Sequence, residues 1–340
     1  MGPALRDPGT AGGAAGAGSS SKPPRRRART TAGLLQSRAV NAPRPTPNGA
    51  TASGGGRLVT GLAARGSLRW VVADLSLPLE EARRRLDLSP ISAVALGRAL
   101  TGAVLLRRIA LKIPSRIVLV VAGDGPLGRV VAEAEEGGGV RGLVGDPRVA
   151  TPADGSLALA PWVGRGTLNV TRETGAKRYS SQVELVTGEI GLDLAHFLEQ
   201  SEQIQSAVLL GVLPRPTGIA AAGGVIVEAL PGTPAQVVGQ LEGNIRGVAG
   251  VSRTLARGGI GALEAAVLAG FDVEPLEERP LAYRCGCDRE RLRVQLSTLS
   301  PADLEELLAD EGECDAECAY CGERYRFRAA DLLTADDPSR

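Results

Sequence analysis

No cysteine precedes Cys285, and all five in the chain fall between Cys285 and Cys321. A secreted disulfide framework would spread its bridges over the fold, so the clustering argues against that class and for thiols kept reduced. Histidine is almost missing too. His196 stands alone, far upstream of the cysteines, and on an apolar helix pattern it reads as a core or boundary residue. Aromatics are 3% of 340 residues, so a core must be built from Val, Leu, Ile and Ala. No run reaches the ~18 apolar residues of a membrane helix. The longest apolar zone, 91–106, is broken by Arg98. No membrane partner is expected.

Acid is nearly absent from one end. Residues 1–57 hold nine of the 39 Lys and Arg but only one of the 38 acids, Asp7, so 58–340 carries 30 bases against 37 acids. An acidic body argues against a general nucleic-acid binder, which needs a basic face to displace counterions. Residues 1–57 also lack the apolar core of a secretory signal. Their Ala, Gly, Ser, Pro and Arg match an organellar transit peptide, read here as chloroplast ahead of mitochondrion. Without an address in the leader, the chain would be a cytoplasmic-type soluble protein. The run Arg25-Arg26-Arg27-Ala28-Arg29 also fits a nuclear signal.

From Leu58 the pattern is that of ordered sequence. Strands are predicted at 68–75, 116–122, 140–144, 164–171, 179–186, 207–213 and 224–230, with 157–159 as a possible addition. Helices are predicted at 79–86, 89–108 and 189–205, the second opened by Ser89-Pro90. Gly123-Asp124-Gly125-Pro126-Leu127-Gly128 has the letters of a dinucleotide loop. That loop must open a helix, and 129–136 alternates as a strand would, so the stretch reads as a hairpin turn. Residues 234–245 and 255–268 have helical spacing, yet nine glycines fall between Gly232 and Gly270. Each interior glycine costs a helix about 1 kcal/mol relative to alanine, so such helices need packing to persist.

The fold class is therefore α+β, in five parts. A leader (1–57) precedes a core with a mainly antiparallel sheet and helices (58–231). A metastable helical linker (232–283), a small four-cysteine zinc-binding domain (284–333) and a tail (334–340) follow.

Cys285-Gly286-Cys287 and Cys318-Ala319-Tyr320-Cys321 are two short thiol pairs joined by a readable insert. Asp288 starts one helix with Leu292 and Leu296 inward. Ser300-Pro301-Ala302-Asp303 starts another with Leu304, Leu307 and Leu308 inward. Two such pairs brought together suit tetrahedral Zn2+, and the only histidine is remote, so Cys285, Cys287, Cys318 and Cys321 are the expected metal ligands. The same thiols can oxidise through a sulfenic acid to disulfides. Three connectivities are open, of which Cys285–Cys287 with Cys318–Cys321 is geometrically easiest. Disulfides do not hold zinc as thiolates do, so the metal and its folding energy would leave together.

The chain resembles the redox-regulated holdase chaperones of the heat shock protein 33 family. The residues that carry the resemblance are Arg284-Cys285-Gly286-Cys287-Asp288-Arg289-Glu290-Arg291 and Cys318-Ala319-Tyr320-Cys321-Gly322-Glu323-Arg324-Tyr325. Upstream, Gly164-Arg165-Gly166-Thr167-Leu168 and Gln200-Ser201-Glu202-Gln203 match as well. The resemblance runs over about 58–333. It implies an ATP-independent chaperone, not an enzyme, that is compact and nearly inactive when reduced. Oxidation would form two disulfides, release zinc and unfold the C-terminal module. The linker would then loosen, and the uncovered surface would bind unfolding client proteins, with a homodimer formed on activation. Cys314 is an added thiol, able to compete as a ligand or divert a disulfide. The alternative is a zinc module for nucleic acid using Arg289, Arg291, Arg324, Arg326 and Arg328.

Overall fold

The computed structural model describes residues 28–29, 55–109, 114–309 and 312–333. The leader and the tail therefore lie almost wholly outside the described residues. A two-residue strand, β1 (Ala28–Arg29), pairs in parallel with the C-terminal module. The main sheet begins with β2 (Gly56–Ala63) and β3 (Leu68–Asp74), an antiparallel hairpin.

Two helices follow, α1 (Ser76–Leu86) and α2 (Pro90–Ile109). Ser89 caps the second, its hydroxyl accepting from the Ser92 amide at 3.3 Å. In α2 only Pro90, Arg98 and Arg108 escape burial. It is long and apolar enough to cross a membrane, but here it is the core helix of the domain. Gly97 lets it approach its neighbours: a Cβ there would stand 2.5 Å from Leu79 and 2.7 Å from Val212.

The sheet continues through β4 (Arg116–Gly123), β5 (Arg129–Glu135) and β6 (Gly139–Val144). Residues 123–128 span the end of β4 and the turn of the antiparallel β4–β5 hairpin, so no helix follows them and the dinucleotide reading falls. Their glycines face protein backbone. A Cβ on Gly125 would lie 2.4 Å from the Trp162 carbonyl, and the Gly125 amide donates to Val163 at 2.9 Å. Those partners belong to α3 (Ala160–Val163). Residues 157–159 lead into that short helix and add no strand.

Then come β7 (Gly166–Thr174), β8 (Lys177–Glu184), α4 (Ile190–Glu202), β9 (Ser206–Arg215) and β10 (Gly218–Ala229). The linker region holds α5 (Ala235–Gly247) and α6 (Val251–Val267), as the spacing predicts. Its last part differs from expectation. Residues 273–283 form an eleven-residue strand, β11 (Val273–Tyr283), between β2 and β6. Pro275 and Pro280 and the run of acids hide it, because proline is rare inside a sheet. A register shift between Pro275 and Glu277 accommodates the first.

The resulting ten-stranded sheet runs β8-β7-β4-β5-β6-β11-β2-β3-β10-β9, antiparallel except at the β11–β6 contact. Period-two alternation sends the side chains of its β2–β3–β10 part to two cores. Leu58, Val71, Ala73 and Ile226 pack toward α1, α2 and α4. Val59, Leu68, Trp70, Val72, Val225 and Val227 form an apolar face on the other side, under α5 and α6. That cover is interrupted: α6 is broken at Gly258 and Gly259, the latter at φ +64°.

Candidate metal centre

β11 delivers the first two thiols and a hairpin delivers the other two. After Tyr283 the chain leaves the sheet, passes Cys285 and Cys287, and turns into α7 (Arg289–Leu296). Asp288 caps this helix, Oδ1 accepting from the Arg291 amide at 2.8 Å. Next is α8 (Pro301–Leu307), capped by Ser300 through the Asp303 amide at 3.2 Å. The strands β12 (Glu313–Glu317) and β13 (Arg324–Arg328) then bracket Cys318 and Cys321, with α9 (Ala329–Leu333) after them. The bracketed turn is closed by the Cys318 amide on Glu323 O at 2.9 Å and the Gly322 amide on Cys318 O at 2.8 Å. Gly322 has φ +70°, and a Cβ there would lie 2.6 Å from the Arg85 carbonyl of α1. Glycine is thus required both by the turn and by the close seat on the core.

The four sulfurs all lie within 4.8 Å of one another. Cys285 Sγ is 3.8 Å from Cys318 Sγ, and Cys287 Sγ is 3.3 Å from Cys321 Sγ. A tetrahedron with about 2.3 Å metal–sulfur bonds has edges of about 3.8 Å. A disulfide needs about 2.05 Å, and none is formed. The donor set therefore fits a four-cysteine metal site with an ion the size of Zn2+. Electrostatics agree. Hydrogen bonds from the Cys318 and Cys321 thiols pull Cys285 well below the usual thiol range. The same sharing pushes Cys318 up to about 12, and pushes Cys321 up as well. A first thiolate among crowded sulfurs disfavours ionisation of its neighbours, so holding four thiolates together calls for a cation.

Around this site the module has little core of its own: Leu292, Leu296, Leu304, Cys314, Ala316, Phe327 and Leu332. Cys314 faces inward with Ala316 along β12 and is no part of the four-sulfur group. Burial raises its thiol pKa, which makes it less reactive. Cys314→Ala should therefore leave whatever metal the four-sulfur group binds unchanged in amount, while costing about 1 kcal/mol in packing. Metal analysis with thermal melting checks both. His196 sits in α4, outside the group.

The profile of the Hsp33 protein family matches residues 56–328, which include all four of these cysteines. The chain belongs to the Hsp33 family. It is 46% identical over 287 residues to a 33 kDa chaperonin of Thermus thermophilus, covering 80% of this chain and 84% of that one. A 33 kDa chaperonin of Nostoc punctiforme is 36% identical over 289 residues, covering 82% and 96%. Among solved structures, the crystal structure of the 33 kDa chaperonin of Thermotoga maritima, a heat shock protein 33 homologue, matches with TM-score 0.74. Its sequence is 33% identical, over 82% of this chain and 96% of the other.

In this Hsp33 chain the arginines of the nucleic-acid reading are met by carboxylates. Arg324 pairs with Glu317 at 3.2 Å, Arg326 with Asp315 at 2.9 Å and Arg328 with Glu313 at 3.3 Å across the hairpin. Arg289 pairs with Asp331 at 2.8 Å and Arg291 with Asp288 at 3.4 Å. Sequence spacing exposes the arginines but not this cross-strand matching, which depends on the β12–β13 register. One further residue was hidden from the sequence. Tyr320, between Cys318 and Cys321, reaches out of the module to Glu133 on β5.

Proposed function

We propose that the chain is an ATP-independent holdase, not an enzyme, whose client-binding surface is uncovered when the four cluster thiols are oxidised. The observation that carries this reading is continuity. The helices over the Trp70 face, the strand β11 and the four-sulfur module follow one another directly in the chain. Bound Zn2+ would supply charge neutralisation and a cross-link between the two halves of a module too small to fold well alone. Cys285, Cys287, Cys318 and Cys321 would hold it as thiolates.

A thiolate attacks a peroxide oxygen, which forms an S–O bond, breaks the O–O bond and leaves a sulfenic acid and hydroxide. A neighbouring thiol then closes the S–S bond and releases water. Each bridge consumes one thiolate, one thiol and one peroxide and leaves one hydroxide and one water. Every sulfur has a resolving partner within 4.8 Å, so all three pairings are within reach. We take the sequence-local pairs, Cys285–Cys287 and Cys318–Cys321, as the product. Two bridges use up all four ligands, and the module then loses its cross-link.

Loss of the module frees the C-terminal end of β11, and β11 borders β2, which carries Val59 of the apolar face. The linker helices depend on that face, because neither α5 nor α6 has a side-chain N-cap and α5 buries only Leu241 fully. Their release exposes Val59, Trp70, Val72, Val225 and Val227 to unfolding clients, and a homodimer of the oxidised form shields the remainder. Nucleic acid is not a partner in this reading, since the module's arginines are matched by acids. The chloroplast location rests on the composition of residues 1–57.

Heat-induced aggregation of citrate synthase tests the proposal, with zinc release followed in parallel. Oxidised protein should suppress aggregation after releasing about one zinc per chain, and reduced protein should not. Equal suppression by the reduced form removes the switch.

A further inference from the structure

The Cys318–Cys321 turn is keyed into the core sheet through a buried polar pocket. The Tyr320 hydroxyl donates to Glu133 Oε1 at 2.7 Å. Glu133 lies on β5 and is only 2% exposed. Its other oxygen accepts from Arg116 at 2.6 Å and from Arg141 Nε at 2.7 Å. The Arg141 guanidinium also lies over the Tyr320 ring, 4.6 Å from its centroid. Beside this, the Tyr283 hydroxyl sits between the Tyr320 carbonyl and the Gly142 carbonyl of β6. A carboxylate held this deep is weak evidence for stability, and its bearing on the module's position rests on the contacts themselves. Without the phenol, Glu133 Oε1 would lose its hydrogen-bond donor inside the protein, which is costly.

Resting on the holdase reading, we propose that Glu133 is the core's receptor for the thiol module and that Tyr320 is the positioning residue that docks it. The state of the four sulfurs then reaches the sheet by two routes. One is the covalent chain through β11. The other is the phenol, which stays in the Arg116–Glu133–Arg141 pocket only while the Cys318–Cys321 turn is folded. The docked ring in turn holds that turn, and so its two thiols, in place.

Tyr320→Phe tests this in the full-length, reduced, zinc-loaded protein, because it keeps the ring under Arg141 and removes only the donor. Zinc content should stay at about one per chain. Peroxide-driven zinc release, read with a chromogenic chelator, should become about tenfold faster, the scale of one hydrogen bond to a charged acceptor. Amide hydrogen exchange should rise in β5, β6 and the end of β11 before any oxidant is added, with α7 and α8 unchanged. A variant with wild-type release and wild-type exchange overturns the docking role. The two readings fail separately. Oxidised wild type that does not suppress aggregation defeats the holdase reading, while faster exchange in β5 and β6 of the variant would still uphold the dock.

Discussion

Leu263→Ala should make the reduced, zinc-loaded protein suppress aggregation with no oxidant present. Leu263 is fully buried, at 0% exposure, where α6 covers the sheet face that carries Trp70. Truncating a buried leucine costs about 2–5 kcal/mol. The element it holds down has little to spare. α6 is broken at Gly258–Gly259, its N-cap Gly250 offers no side-chain bond, and its neighbour α5 buries only Leu241. Short helices of this kind persist through packing more than through propensity. The substitution removes a large part of that packing and touches no cysteine, so zinc content should remain at about one per chain. The citrate synthase assay under reducing conditions reads the effect. Wild-type inactivity of the reduced variant would mean that the linker is not what masks the surface.

The opposite change should raise the threshold. Gly239, Gly243 and Gly261 lie in α5 and α6, and a Cβ at any of them would meet no atom within 4 Å. Alanine at an exposed helical glycine gains about 1 kcal/mol. The triple variant Gly239→Ala/Gly243→Ala/Gly261→Ala should therefore shift the linker's opening equilibrium by a factor on the order of 100. The expected result is normal zinc release on oxidation, with holdase activity delayed or appearing only at higher temperature. Release and activity separate in this variant because the thiols are untouched and only the element downstream of them is firmer. Unchanged activation at every temperature would show that linker stability does not limit the response.

Much of this was legible in the sequence because the signals are local. Ser89, Asp288 and Ser300 each announce a helix that the structure then caps with the expected side chain. The alternation of 129–136 distinguishes a hairpin from a nucleotide loop. The pair spacing of the four thiols already points to a group that could hold a metal ion, and the structure brings the four sulfurs together. What escaped is long-range. β11 looks like a charged, proline-containing connector, and becomes a strand because β2 and β6 offer it edges on both sides. Glu133 reads as an outward position of a strand, and is buried by a turn 187 residues away in the chain. Cys314 looks like a candidate fifth ligand by proximity. Its place is set by the inward alternation of Cys314 and Ala316 along β12, a five-residue strand that carries three acids and little strand signal of its own.

The most direct measurement uses the protein's own reporter. The chain has two tryptophans, Trp70 and Trp162. Trp70 is fully buried at 0% exposure in the face beneath α5 and α6, with its indole nitrogen donating to the Leu62 carbonyl at 3.1 Å. In a Trp162→Phe background, acrylamide quenching of Trp70 should be weak in the reduced, zinc-loaded protein and strong once oxidation has closed the disulfides. Quenching and aggregation suppression should then rise together. Full suppression of aggregation by oxidised protein in which Trp70 is still shielded would contradict the account.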